Sequence, residues 1–248
     1  MQHERDLLIR DKYDGDTSVD LTKDLARLQN GEPLAYVIGW VPFMGLHIAL
    51  DSHPLIPRPE TEAWTEDLIA RLVERFGNDP FTLLDLCAGS GAIGLSVLAR
   101  FPACRVRFGE LKREHGALIR QNLERNGLDA SRATVHESNL FQAFPADQRF
   151  DVIATNPPYV PDTRVLEESV TDFEPAEALY AGSDGLDLIR HIAAEAQDRL
   201  ELGGELWMEC DIANIEEAKM LLLAGGAQRA EIRTDPYGRP RVCVGYYP

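Results

Sequence analysis

The run Leu84-Asp85-Leu86-Cys87-Ala88-Gly89-Ser90-Gly91-Ala92-Ile93-Gly94 passes from an apolar strand through a glycine turn into a helix. The glycines let backbone N–H groups come close to a ligand, and the N-terminus of the following helix favours negative charge there. The spacing is D-x-x-x-G-x-G with no G-K-[ST] after it, which excludes a triphosphate P-loop. Outward from this turn the pattern alternates. Strands are expected over 82–86, 105–109, 133–136, 151–155, 205–210, 230–234 and 242–246, and helices over 92–100, 113–126, 186–200 and 215–223. Repeated βα units predict a doubly wound α/β domain with a mainly parallel sheet. The last two strands lack a helix between them and predict an antiparallel edge.

A second acidic residue, Glu110, closes the next strand 19 positions after Gly91. A carboxylate there can accept hydrogen bonds from both hydroxyls of a ribose, which suits a dinucleotide or S-adenosylmethionine equally. A plain tight βα turn beside a surface glutamate has the same spacing.

After the fourth strand comes Asn156-Pro157-Pro158-Tyr159, at the carboxyl edge of the sheet where open α/β folds bind ligands. Two adjacent prolines remove two N–H groups and stiffen the chain. What remains offers the Asn156 side-chain oxygen and the Pro157 carbonyl as acceptors, with the flat face of Tyr159 beside them. Two acceptors and a plane fit a planar –NH2 group, held with its nitrogen facing an electrophile. Positioning and fixed dipoles carry most of such a transfer.

The remainder sets bounds. The 248 residues are 44% hydrophobic and 27% charged, as in a globular protein of one good-sized domain. Asp and Glu number 41 against 25 Lys and Arg, a net charge of −16 that opposes generic binding to nucleic acid. No apolar run reaches the roughly 18 residues of a membrane span, and the charged start lacks a signal-peptide core, so a cytoplasmic protein is expected. Cys87, Cys104, Cys210 and Cys243 show no C-x-x-C spacing and the six histidines are dispersed; no metal site is expected. Trp40, Trp64 and Trp207 read as core. Residues 1–30 read as one or two short helices, 31–58 as a linker with a β-hairpin (arms 35–41 and 46–50), and 59–248 as the main domain, Pro59 opening its first helix. The acidic run Glu167, Glu168, Asp172, Glu174 reads as a solvated loop.

With these residues in view, the chain resembles the HemK-like (PrmC-type) protein-glutamine N5-methyltransferases, which modify the GGQ motif of peptide chain release factors. The resemblance runs from Gly31 onward. Gly31-Glu32-Pro33-Leu34-Ala35-Tyr36-Val37-Ile38-Gly39 is similar to the family's linker, and Leu55-Ile56-Pro57-Arg58-Pro59-Glu60-Thr61-Glu62 to its most discriminating signature. Residues 174–187 and 235–241 fit as well. The resemblance implies a seven-stranded methyltransferase fold, S-adenosylmethionine as cofactor with S-adenosylhomocysteine as product, a release factor as protein partner, and a monomer. It implies that Asp85, Cys87, Ala88, Gly89, Ser90 and Gly91 wrap the methionine part of the cofactor. Glu110 would take the ribose, and Asn139 and Leu140 would edge the adenine. Asn156 to Tyr159 would hold the glutamine amide, with Arg58 near the pocket or in a surface ion pair.

Three departures carry expectations. Cys87 stands where most members have glycine, which is tolerable if its φ stays negative. Asn139 replaces the usual aspartate and loses its charge, implying a weaker hold on the cofactor. About 30 residues precede the hairpin where the family usually has a multi-helix bundle, implying either less surface for the substrate or a shortened N-terminus. Two other functions use the same motifs: N6-methylation of adenine in DNA or RNA, which needs a basic strand-binding surface, and a non-catalytic cofactor-binding scaffold.

Overall fold

The computed structural model describes residues 2–248. Three short helices, α1 (Gln2–Asp11), α2 (Thr22–Gln29) and α3 (Leu34–Ile38), bury Leu8, Leu21 and Val37 in a small cluster of their own. Here one expectation fails. Residues 35–38, read as the first arm of the hairpin, are helical. Leu34, Val37 and Ile38 fall at i, i+3 and i+4, so one helical face meets the cluster, and that burial outweighs the β propensity of Val and Ile. Pro33 precedes the helix, and Gly39, at φ +98°, ends it in the left-handed conformation. The hairpin is β1 (Trp40–Phe43) and β2 (Leu46–Ala49), with Trp40 opposite Ala49.

Next comes α4 (Pro59–Phe76), with Pro59 at its first position as expected. The sheet is built from β3 (Thr82–Leu86), β4 (Arg105–Glu110), β5 (Ala133–Glu137), β6 (Phe150–Thr155), β7 (Leu200–Glu209), β8 (Arg229–Thr234) and β9 (Pro240–Tyr246). Between and beside the strands run α5 (Ala92–Arg100), α6 (Arg113–Arg125), a single turn α7 (Glu168–Thr171), α8 (Asp187–Arg199) and α9 (Ile215–Ala224). The strand order is β5-β4-β3-β6-β7-β9-β8, parallel from β3 to β7, with β9 antiparallel to both β7 and β8. This is the doubly wound, seven-stranded α/β architecture.

The fully buried strands are covered on both faces. Trp64, Leu68 and Leu72 of α4, with α5 and α6, pack one side; α8 and α9 pack the other through Ile189, Ile192, Ile215 and Leu222. The chain leaves β3 toward β4 and β5, then returns to place β6 on β3's opposite side. The carboxyl ends of β3 and β6 therefore flank the point where strand order reverses, and a crevice opens there. The glycine turn follows β3 and Asn156 follows β6. No helix among the described residues is long and apolar enough to cross a membrane.

Candidate active site

A cavity of about 400 Å3 lies at this crevice, a size suited to a small-molecule ligand. Its floor is the turn after β3. Gly91 sits at φ +82° and is the N-cap of α5, and the loop is fastened from behind by Asp85, whose Oδ2 accepts from Gly94 N at 2.8 Å. Asp85 is fully buried and does not reach the cavity, so this side chain shapes the turn; direct contact with a bound cofactor is not what its position provides. Burial, reinforced by the nearby Glu110 charge, pushes its carboxyl up to about 8.

Cys87 adopts φ +58°, so the condition under which a side chain is readily tolerated here, a negative φ, is not met. Gly89 and Gly91 also take positive φ, and together these residues curl the backbone. A side chain at Cys87 is strained there, as glycine would not be. Burial raises the Cys87 thiol to about 12, so it is not a thiolate at neutral pH.

Glu110 lies on the wall. Its Oε2 accepts from Gly89 N at 2.8 Å, its Oε1 from Lys112 N at 2.9 Å, and His115 Nδ1 is 3.4 Å from Oε1. Burial pushes the Glu110 carboxyl up, but His115 and the two backbone donors outweigh it and hold the group below the ordinary range. A carboxylate is thus fixed at the cavity, as hydroxyl recognition requires. Asn139 and Leu140 line the cavity beyond it, Leu140 at φ +49°.

The opposite wall holds Asn156 and Pro158; Pro157 is buried behind them. Asn156 Nδ2 donates to Thr61 Oγ1 at 3.2 Å. The Tyr159 hydroxyl donates to Glu209 Oε1 at 3.0 Å, and burial together with that carboxylate raises its pKa well above the ordinary tyrosine value, keeping it a neutral phenol. Residues 160–186 fold back over the cavity and contribute Pro175, Ala178 and Gly182 to its rim. Gly185 makes this possible: at φ +77° it lies so close to the Tyr159 carbonyl that a Cβ would approach it to 2.3 Å. Lys112 forms an ion pair with Glu177, tying the loop after β4 to this segment.

Arg58 does not line the cavity. It pairs with Glu174 Oε1 at 2.5 Å, while Glu174 Oε2 accepts from Ile56 N. Glu174 is 5% exposed, so the expectation of a solvated loop fails at this residue; Glu167, Glu168 and Asp172 are exposed, with Glu168 opening the single turn α7. The Arg58–Glu174 pair anchors the covering segment to the signature around Pro57, which does line the cavity. Sequence reasoning gave no role to Thr61 or Glu209. The available signal was Glu209 itself, an acidic residue directly after the apolar run Leu206-Trp207-Met208.

The residues present fit S-adenosylmethionine. A mostly apolar slot, a fixed carboxylate and a curled N–H-rich turn meet a ligand with an aromatic base, a ribose and a charged amino-acid tail. Fold and site together define an S-adenosylmethionine-dependent methyltransferase. The sequence profile of the methyltransferase small domain matches residues 65–177. A release factor glutamine methyltransferase of Geobacter sulfurreducens is 35% identical over 223 residues, covering 89% of this chain and 75% of that protein. One from Bordetella pertussis is 36% identical over 222 residues, covering 89% and 80%. Among solved structures, the catalytic domain of hMettl16 in complex with an RNA hairpin superposes with a TM-score of 0.61 at 15% identity, covering 83% of this chain and 77% of that one, and speaks to the fold alone. The chain belongs to the release factor glutamine methyltransferase family.

Proposed function

We propose that this protein transfers a methyl group from S-adenosylmethionine to the side-chain amide nitrogen of the GGQ glutamine in a peptide chain release factor. The observation that carries the reading is one cavity lined both by Gly89 and Ser90 of the glycine turn and by Asn156 and Pro158 of the Asn-Pro-Pro-Tyr segment, in a chain of this family. The cofactor, when bound, supplies an electrophilic methyl on a sulfonium sulfur. The chain's own residues do the rest. Gly89, Ser90 and Gly91 bound the methionine end, Glu110 accepts from the ribose hydroxyls, and Asn139 and Leu140 edge the base.

The Asn156 Oδ1 and the Pro157 carbonyl accept the two N–H bonds of the glutamine amide, and Tyr159 backs its plane. Fixing both hydrogens aims the nitrogen at the methyl, so the barrier falls mainly through orientation and preorganised dipoles. On transfer the S–C electron pair would stay on sulfur, and the amide nitrogen, once methylated, would release one proton to solvent. Arg58 acts by anchoring the segment that covers the site. In this reading residues 59–248 carry the chemistry, while 1–30 and the 31–58 linker form a platform for the substrate. The enzyme works as a monomer in the cytoplasm, with a protein and not a nucleic acid as partner.

The test is peptide mass spectrometry of a bacterial release factor incubated with the protein and S-adenosylmethionine. One methyl on the GGQ glutamine, absent with Asn156→Ala, is the expected result. An unmodified glutamine, with cofactor binding verified by calorimetry, would overturn the substrate assignment.

A further inference from the structure

We infer that Glu209 and Thr61 form a positioning relay that sets which end of the Asn156 amide faces the substrate. The inference rests on the proposed role of Asn156 as an acceptor for the glutamine amide. Glu209 closes β7 and is 1% exposed. Its Oε2 receives Trp64 Nε1 at 2.6 Å and Thr61 Oγ1 at 2.7 Å, while its Oε1 receives the Tyr159 hydroxyl. An indole nitrogen can only donate, so Oε2 accepts from Trp64, and with the carboxyl ionised it can only accept from Thr61 as well. Thr61 has one hydroxyl proton, and it is committed to that oxygen. The remaining capacity of Thr61 Oγ1 is to accept, and the group 3.2 Å away is the Asn156 amide. Only Nδ2 can fill that position.

The orientation of Asn156 thus follows from hydrogen-bond bookkeeping rather than from electron counts of two similar atoms. The flipped amide would set Oδ1 against the lone pairs of Thr61 and present an –NH2 to the substrate's –NH2. The relay excludes that state before substrate arrives. It also has a direction. Burial pushes the Glu209 carboxyl above the ordinary range, while its three donors and the nearby Arg241 oppose that shift by favouring the charged form. A chain running from Asn156 N–H through a hydroxyl to a carboxylate draws negative charge onto Asn156 Oδ1 and strengthens it as an acceptor. Through Tyr159 the same carboxylate holds the second element of the clamp. Thr61 and Glu209 are positioning residues; neither accepts the methyl group.

Three variants separate the parts. Thr61→Val removes the hydroxyl at nearly constant volume, Thr61→Ser keeps it, and Glu209→Gln keeps the shape while removing charge. Calorimetry with S-adenosylhomocysteine identifies which variants retain a folded cofactor site, and steady-state kinetics with a release factor gives kcat and KM separately. Thr61→Val is expected to lower kcat by about 10²-fold while KM changes little, because misplacement of an aligned group is a cost paid in turnover. Thr61→Ser should stay within about three-fold of the parent, and Glu209→Gln should lose about ten-fold in kcat. A second readout needs no turnover: the Asn156 side-chain amide protons should exchange slowly in the parent and the Ser variant and rapidly in Thr61→Val. Unchanged kcat and unchanged amide exchange in Thr61→Val would overturn the relay, as would equal impairment of Val and Ser. A parent that binds cofactor but methylates no release factor would defeat the proposed function instead, and the exchange measurement would then decide the relay by itself.

Discussion

Asn122 and Ser90 are joined by a hydrogen bond that ties the last turn of α6 to the cofactor turn: Asn122 Nδ2 donates to Ser90 O at 3.1 Å. The same side chain accepts from Ala49 N through Oδ1 at 2.8 Å, so one fully buried amide clasps the hairpin on one side and the glycine turn on the other. One helical turn later, Asn126 repeats half of the clasp, accepting from His47 N and donating to His47 O, both at 2.9 Å. The linker is therefore part of what holds the turn in place. Asn122→Ala leaves the Ala49 N–H and the Ser90 carbonyl without this partner, and each such buried loss costs roughly 1–3 kcal/mol. The expected outcome is a lower urea midpoint with an unchanged m-value, together with weaker S-adenosylhomocysteine binding. Full stability with weakened binding would show that the clasp serves the turn alone.

Glu110 combines two tasks, organising Gly89 and Lys112 through their N–H groups and presenting charge to the cavity. Hydrogen bonds to a charged group contribute about 1.5–3 kcal/mol, so Glu110→Ala should weaken S-adenosylhomocysteine binding by roughly 10–100-fold. Calorimetry at constant pH measures this directly. Glu110→Gln should lose less, since an amide oxygen still accepts from one of the two backbone donors. Equal affinities for parent and Ala variant would remove Glu110 from the cofactor site.

The order of strands and helices was legible because burial on both faces of a parallel sheet leaves strong apolar runs; α5, from Ala92 to Arg100, has the expected bounds. What misled was local. Val37 and Ile38 favour strands as isolated residues, yet their helical spacing with Leu34 against Leu8 and Leu21 decides their conformation, while Tyr36 packs with Leu50 and Ile56. The candidate site divides in the same way. Gly89, Glu110 and Asn156 could be placed at the cavity because loop chemistry and strand ends fix them, whereas Gly91 caps α5 without lining it. Asp85 belongs to the same motif but points behind the turn, and spacing does not reveal which face of a turn a side chain takes. Glu209 and Thr61, 148 positions apart, meet only through the packing of α4 on the sheet.

The backbone at Cys87 makes its own prediction. At φ +58° an L-residue bears a steric cost of about 1–2 kcal/mol that glycine does not, partly offset by the greater freedom of glycine in the unfolded chain. Comparing Cys87→Gly with Cys87→Ala removes the thiol in both and isolates the conformation. The glycine variant should be the more stable by about 0.5–1 kcal/mol. A more stable alanine variant would mean that this position relaxes to negative φ in solution.

The fully buried Asp85 should leave a mark on stability as a function of pH. Its carboxyl is raised to about 8 in the folded protein, against about 3.9 for an unfolded aspartate. Below the unfolded value both states hold the proton, and the group's contribution is fully present. Between the two values the unfolded chain has released the proton while the folded chain keeps it, so stability falls as pH rises, by at most about 1.4 kcal/mol per pH unit from this group. Above the folded value the contribution is lost. Asp85→Asn is neutral at every pH and retains an oxygen able to accept from Gly94 N, so it lacks this slope. Denaturant unfolding of both proteins at several pH values should show the variant gaining on the parent between pH 5 and 8 (about the interval bounded by the two pKa values). Parallel curves would mean that Asp85 is ionised in the folded state, with the turn supplying more donors than Gly94 alone.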